Sequence, residues 1–194
     1  MLAGRVCTGY SLPYVALYNH TGTTVYYTQG QKLARGVSVS ADITTADENI
    51  FYADNIDAEE APGKFTSGSL TCTVDGLRRA AAKLIMGLPE AAADGFVHYG
   101  DDQNIPFCGY GFIARYQSDG IVYYVPYIFL KVKFSIPGID AATQEENIDW
   151  QTQDLEAAIK RSDGANHDWR LDGDEYSTEA EAEATIRTFF SITE

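Results

Sequence analysis

Alternation of apolar and polar residues with a period of two runs through most of this chain, and it constrains the fold more than any other feature. From residue 33 to residue 43 one face would carry Leu33, Arg35, Val37, Val39, Ala41 and Ile43. Successive side chains of a strand point to opposite faces of a sheet, so this pattern predicts a strand with one covered face. Residues 14–28 and 107–134 each predict a hairpin around a glycine turn, at Gly22 and Gly120. The chain is therefore expected to be mainly β.

The segment VDGLRRAAAKLIMGLP, residues 74–89, interrupts this alternation with a helical pattern. Asp75 is expected to cap the start of the helix, Gly87 suits its C-terminal cap, and Pro89 prevents its continuation. A single apolar stripe at helical spacing consists of Leu77, Ala81, Leu84 and Leu88. The segment therefore predicts a short amphipathic helix that lies on the outside of a sheet.

Three further elements complete the predicted secondary structure. Residues 64–74 form a strand with Leu70, Cys72 and Val74 directed inward. The segment NIDWQTQDLEAAIKR, residues 147–161, predicts another strand, with the alternation read over residues 148–153. Thr178 and Glu181 form a capping box, which predicts the start of a closing helix.

The length and the distribution of these elements predict one domain over residues 1–194. Residues 1–13 are expected to form an N-terminal arm and residues 44–64 a long inter-strand loop. Residues 140–194 form an acidic C-terminal strand and helix, with 15 Asp/Glu and 4 Lys/Arg. Loops as long as 44–64 are usually functional or mobile.

Charge and cysteine content exclude several classes of protein. The formal net charge is -14, with 28 Asp/Glu against 14 Lys/Arg, and a surface this negative repels the phosphates of nucleic acid. The sequence shows neither a secretory signal nor an apolar run long enough for a membrane helix. The three cysteines have no CxxC spacing. We therefore expect a protein that folds in a reducing cytosol and binds no membrane.

Residues with catalytic or metal-binding chemistry do not form a recognisable pattern. The histidines at 20, 98 and 167 lack the spacing of a helical metal site. Residues 172–176, DGDEY, lack the ligand spacing of a calcium loop, and no nucleophile motif is present. The sequence thus predicts no enzyme, no cofactor and no metal. The 13 tyrosines are typical of surfaces that meet one another, although tyrosines packed under the loops of a monomer explain them equally well.

An ordered set of segments resembles the major tail tube proteins of long-tailed bacteriophages and related prophages. The resemblance covers about Tyr14 to Ile192 and is carried, in order, by KLARGVSVSAD, NIFYADN, GKFTSGSLTCTVDGLRRAAAKLIMGLP, GFIARYQSDGIVYYVPYIFLKVKFSIPG, AATQEENIDWQTQDLEAAIKR and STEAEAEATIR. It implies a β-sandwich with one flanking helix, assembled as hexameric rings whose sheets join into a barrel lining the lumen. Stacked rings would form the hollow tail around the tape measure protein. DNA would pass through this tube without specific binding.

The resemblance also implies the partners and the place of the protein. The subunit would contact itself, the tape measure protein, and the tail terminator and distal tail proteins at the ends of the tube. It would fold and assemble in the cytoplasm of the bacterial host and remain in the tail of the virion.

Within this picture, three groups of residues acquire expected roles. The small polar faces of two strands are candidates for the lumen lining, namely Ser38, Ser40, Asp42, Ser69, Thr71 and Thr73. The inter-strand loop supplies candidates for the contact between rings, namely Phe51, Tyr52, Asp54 and Asn55. The stripe of the 74–89 helix would pack the helix on the outer side. The alternative hypothesis is a monomeric β-sandwich that binds a carbohydrate or another ligand.

Overall fold

The computed structural model describes residues 4–47, 49–53, 56–61, 63–89, 94–101, 103–139, 141, 143 and 150–192. Within these residues the chain forms ten strands and two helices. The strands are β1 (Val6–Thr21), β2 (Thr24–Lys32), β3 (Gly36–Thr45), β4 (Asn49–Ala53), β5 (Ile56–Ala61), β6 (Phe65–Val74), β7 (Cys108–Ser118), β8 (Ile121–Phe134), β9 (Gln153–Lys160) and β10 (Arg170–Asp172). The helices are α1 (Arg79–Met86) and α2 (Glu179–Phe189). The prediction of a mainly β chain is confirmed.

One antiparallel sheet contains eight of these strands. Its order is β2-β1-β7-β8-β9-β6-β3, and the short strand β10 pairs with β8 beside this path. Both predicted hairpins are present, and Gly22 and Gly120 adopt positive φ angles of 57° and 82° in their turns. Strands β4 and β5 form a separate two-stranded sheet.

The sheet curls so that β1 approaches β3, although these strands are not paired. Gly36, at the start of β3, lies against the ring of Tyr10 in β1, and a Cβ atom there would come within 2.1 Å of that ring. The curled sheet encloses an apolar core whose fully buried members include Leu70, Tyr110 and Ile159. The Tyr10 and Tyr110 hydroxyls are 2.7 Å apart inside it, and burial raises the pKa of both.

Helix α1 packs against this core, but it begins later than predicted. Asp75 does not cap it, because the Asp75 carboxylate accepts hydrogen bonds from the backbone and side chain of Arg35; the N-cap residue is Arg78, without a side-chain cap. Gly87 terminates the helix in the left-handed conformation, as predicted. Of the predicted stripe, Ala81, Leu84 and Leu88 are buried, whereas Leu77 precedes the helix and is half-buried. Ile85 is also fully buried, so the apolar face is wider than the stripe.

Helix α2 covers the opposite face of the sheet and creates a second apolar cluster. Thr178 and Glu181 form the predicted capping box. The rings of Phe190 and Tyr27 lie 5.0 Å apart, and Ile186 is buried with them. Gly109 in β7 allows this approach, because a Cβ atom there would come within 2.6 Å of both rings.

Three predicted boundaries differ from the structure. Residues 6–13 belong to β1 and pair with β7, so the predicted N-terminal arm is mostly strand. Segment 44–64 contains β4 and β5 rather than only loop. Strand β9 runs from Gln153 to Lys160, within the segment 147–161 that was predicted as a strand but later than the alternation over 148–153; residues 144–149 lie outside the described residues.

Candidate functional site

The six residues predicted to line a lumen lie together on one polar face of β3 and β6. The antiparallel register places Ser38 opposite Thr73, Ser40 opposite Thr71, and Asp42 opposite Ser69. Their neighbours in β6, such as Cys72, point into the core and are buried. The sequence predicted each row of polar residues, and the register of the two strands combines them into one surface, which we call the polar face.

Strand β9 extends the polar face with two carboxylates that the sequence analysis did not include. Asp154 lies opposite Thr73 and Glu156 opposite Thr71. The Thr73 hydroxyl donates a hydrogen bond of 2.6 Å to Asp154 Oδ1. The signal was present in the sequence, since Asp154 and Glu156 alternate with the buried Leu155 and Ala157. Over three strands, the extended face thus consists of small polar side chains and acidic side chains.

A cluster of cations adjoins one end of the polar face. Lys131 in β8 lies opposite Lys160 in β9, and the Nζ atom of Lys131 is 4.6 Å from the ring centroid of Phe107. Lys64 and Arg161 line the same shallow cavity of about 550 Å³. We call Lys64, Phe107, Lys131, Lys160 and Arg161 the Phe107 patch. Charge on this side of the sheet is therefore divided into an acidic area and a basic end.

The Phe107 patch is fixed to the body of the protein through Asp163. Lys131 Nζ donates to Asp163 Oδ2 at 2.5 Å, and the Tyr18 hydroxyl donates to the same oxygen at 2.9 Å. The hydrogen bond from Lys131 holds the pKa of Asp163 below its ordinary value of 3.8. Burial raises the pKa of Tyr18 to about 12. Asp163 thus joins β1, β8 and the segment after β9.

The sheet has two terminal strands, and β3 is the longer one. Among the described residues, β3 pairs only with β6 and β2 only with β1. Strand β3 has ten residues, and Val37 on it is 54% exposed. A long edge of this kind offers unpaired backbone groups to another strand. The polar face therefore ends at an edge that has no strand partner among the described residues, although Gly36 at its start lies against Tyr10 of β1.

Strands β4 and β5 form a hairpin between β3 and β6. The ladder between β3 and β6 continues through Ala46, whose N–H donates to Lys64 O at 2.8 Å, and this contact marks the base of the hairpin. Phe51 and Tyr52, two candidates for the contact between rings, lie in β4. The other two, Asp54 and Asn55, lie outside the described residues.

A second cavity of about 550 Å³ lies at the far end of the strands, between Asp75 and the segment that follows β8. Asp154 and Glu156 line it, together with Ile136. Trp150, which directly precedes the lining residue Gln151, is 81% exposed. An exposed aromatic side chain near carboxylates is an arrangement that can bind a polar ligand.

The described residues show neither a metal site nor a membrane-spanning helix. No group of three or more His, Cys, Asp or Glu among them could hold a metal ion. Within the same part of the chain, neither helix is long and apolar enough to cross a membrane. Comparison with known protein families gave no match for this chain, and neither did comparison with curated proteins.

Proposed function

We propose that this protein is the subunit of the tail tube of a long-tailed bacteriophage. Subunits form hexameric rings, and the rings stack around the tape measure protein into a hollow tube that conducts DNA during ejection. Terminator and distal tail proteins cover the two ends of the tube. The subunit acts as a structural virion protein, without catalysis, and its support comes from the sequence resemblance together with the surfaces described above.

The open edge of β3 is the observation that carries this proposal. Exposed edge strands favour aggregation unless they are paired or blocked, and Val37 and Ala41 leave this edge with exposed apolar side chains. Pairing of β3 with a strand of a neighbouring subunit covers the edge. A contact between two different surfaces of identical subunits closes into a ring when the rotation permits it. The single sheet then becomes a segment of a barrel that extends across subunits.

The polar face is suited to the inner wall of such a ring. Its hydroxyl and carboxylate groups offer no array of cations to the phosphates of DNA, so a passing duplex is not retained. Asp42, Asp154 and Glu156 add repulsion to that surface. The lysine and arginine side chains of the Phe107 patch adjoin only one end of the polar face.

Electron microscopy of the purified protein, beside its size-exclusion profile, tests the proposal. We expect rings or tubes with a central hole. Val37→Lys should give monomers at concentrations where the wild type assembles, because a lysine on an edge strand opposes pairing. Ile121→Lys is the matched control, since Ile121 is 69% exposed but lies at the β7–β8 turn. A wild-type protein that stays monomeric with its tape measure protein would overturn the proposal.

A second candidate function is the binding of a carbohydrate by a monomer. The observation that favours it is the exposed Trp150 near the cavity lined by Asp154 and Glu156. Aromatic faces and carboxylates together suit the apolar and hydroxyl surfaces of a sugar. A glycan screen on the monomer, with Trp150→Ala as the control, separates this function from assembly.

A further inference from the structure

The first half of β1 lies beside β3 without pairing with it. Residues 6–11 of β1 pair with β7 on one side, and no strand among the described residues pairs with their other side. A cavity of about 450 Å³ lies between the two strands, with Cys7 and Gly9 on the β1 side and Val39 and Ala41 on the β3 side. We call the space between these two strands the β1–β3 gap. An unpaired strand edge thus borders the gap on each side.

Tyr10 fills this gap at the start of β3. Its ring packs against Gly36, where a Cβ atom would come within 2.1 Å of the ring. Its hydroxyl is 2.7 Å from the hydroxyl of Tyr110, and its ring lies 5.4 Å from the ring of Phe112 in an edge-to-face arrangement. Both of these partners lie in β7. Tyr10 therefore connects β7 with the start of β3, and we call its packing on Gly36 the Tyr10 contact.

Strand β1 is irregular on both sides of Tyr10. Its pairing with β7 shifts in register before Gly9 and again between Ser11 and Tyr14. Within the second irregularity, Leu12 has a φ angle of 51°, in the left-handed region that a leucine rarely adopts. Backbone strain of this kind is common in segments that switch between two conformations. The first half of β1 is therefore joined to the rest of the strand through a strained residue.

Pairing of β3 with another strand requires a wider gap. Neighbouring strands lie about 4.8 Å apart, so an inserted strand needs β1 and β3 to be separated by roughly 10 Å. The Tyr10 ring occupies this space beside Gly36. At residues 39–41 the cavity leaves the edge of β3 accessible. A partner strand can therefore begin to pair there, but it cannot extend to Gly36 while the Tyr10 contact persists.

We infer that the Tyr10 contact is autoinhibitory: it covers the start of β3 in the free subunit and opens when β3 pairs with a neighbouring subunit. Opening moves the first half of β1 away about Leu12 and releases Gly36 from the ring. Because free strand edges promote unspecific association, the contact limits such pairing before a ring forms. This inference rests on the proposed function and adds a conformational step to it.

Two variants that open the Tyr10 contact test this step. Tyr10→Ala removes the ring, and Gly36→Ala places a methyl group where the ring lies. Each should shorten the lag of ring assembly several-fold, even though both lower stability by disturbing buried contacts. The control is Tyr127→Ala, at another half-buried tyrosine that lines the same cavity from β8. It should lower stability without shortening the lag. Light scattering and electron microscopy follow assembly, and urea unfolding measures stability.

A distance measurement tests the opening with the Tyr10 contact unaltered. Spin labels at Cys7 and at Ser40→Cys lie on opposite sides of the gap, because Ser40 is next to Val39, and both labelled residues are exposed. When labelled subunits are diluted into wild-type rings, the distance between the labels should be longer than in the free subunit. An unchanged distance, or opening variants that assemble no faster than the wild type, would overturn the autoinhibitory role and leave the proposed function intact. A wild-type protein that forms no rings with its tape measure protein would overturn both.

Discussion

At the residue scale, the contacts of Asp163 connect distant parts of the chain. Its carboxylate accepts from Lys131 and Tyr18, and its backbone N–H donates to the Tyr18 hydroxyl at 2.7 Å. Because the pKa of Asp163 is lowered in the folded protein, the contribution of these carboxylate contacts to stability depends on pH. The contribution is complete above the ordinary pKa of 3.8 and is lost as the pH falls through the lower value of the folded protein.

We therefore expect Asp163→Asn to reduce the free energy of unfolding at pH 7 by about 0.5–1 kcal/mol, a figure that allows for solvent screening of a partly exposed ion pair. The difference from the wild type should shrink as the pH falls below 3.8. Urea unfolding at pH 7 and at lower pH values measures it. Asp168→Asn, at an exposed residue five positions away, is the control. A difference that is equally large at low pH would contradict the role given to the charge.

Single residues show which features the sequence alone could predict. The capping pair of Thr178 and Glu181 was predictable because both residues lie in one helical turn. Asp75 was predicted as a cap because the sequence shows only its local context. Its actual partner, Arg35, lies 40 positions earlier. The carboxylate therefore takes part in a contact between the segments that flank β3 and β6, and no pattern within one segment indicates this contact.

At the element scale, Phe190, which caps the end of α2, packs the helix on the sheet together with Ala182 and Ile186. Its ring is fully buried beside Tyr27, above the backbone of Gly109 and Gly111. Phe190→Ala should lower the free energy of unfolding by about 3–5 kcal/mol, because it leaves a cavity that two glycines cannot fill. Phe189→Ala, at a half-buried residue, should cost less. Equal losses measured by urea unfolding would show that α2 is not anchored through Phe190.

Hairpins and strands differed in how well they could be predicted. The turns at Gly22 and Gly120 depend on local backbone conformation, so both hairpins followed from the sequence. Strand β9 lies within the predicted segment 147–161, but its bounds did not follow from the sequence because polar and apolar residues alternate on both sides of Gln153. Its actual position is set by pairing with β6, which places Leu155 opposite Cys72. Such long-range pairing has no signature in one segment.

At the scale of the whole molecule, the order of the sheet joins surfaces that are distant in the sequence. Strand β6 lies between β3 and β9, so residues near 40, 71 and 156 share one face. The alternation of apolar and polar residues predicted strands with polar sides but not this order, because sheet order depends on the packing of the complete core. The polar face is consequently a property of the folded subunit, and its position in the assembly is a prediction of the proposed function.

Thiol labelling would distinguish the inner wall of the proposed tube from its outside. In a Cys7→Ser background, Cys72 and Cys108 are buried, and burial raises their pKa values to about 11 and about 12, so both thiols should react slowly. Ser40→Cys would then report on the polar face and Thr188→Cys on α2, since both residues are exposed in the subunit. A bulky polymer-linked maleimide should label both in unassembled protein. In tubes it should not label Ser40→Cys, because the polymer cannot enter the lumen of the proposed tube. Rapid labelling of Ser40→Cys in intact tubes would place the polar face outside, and another surface would then have to line the channel.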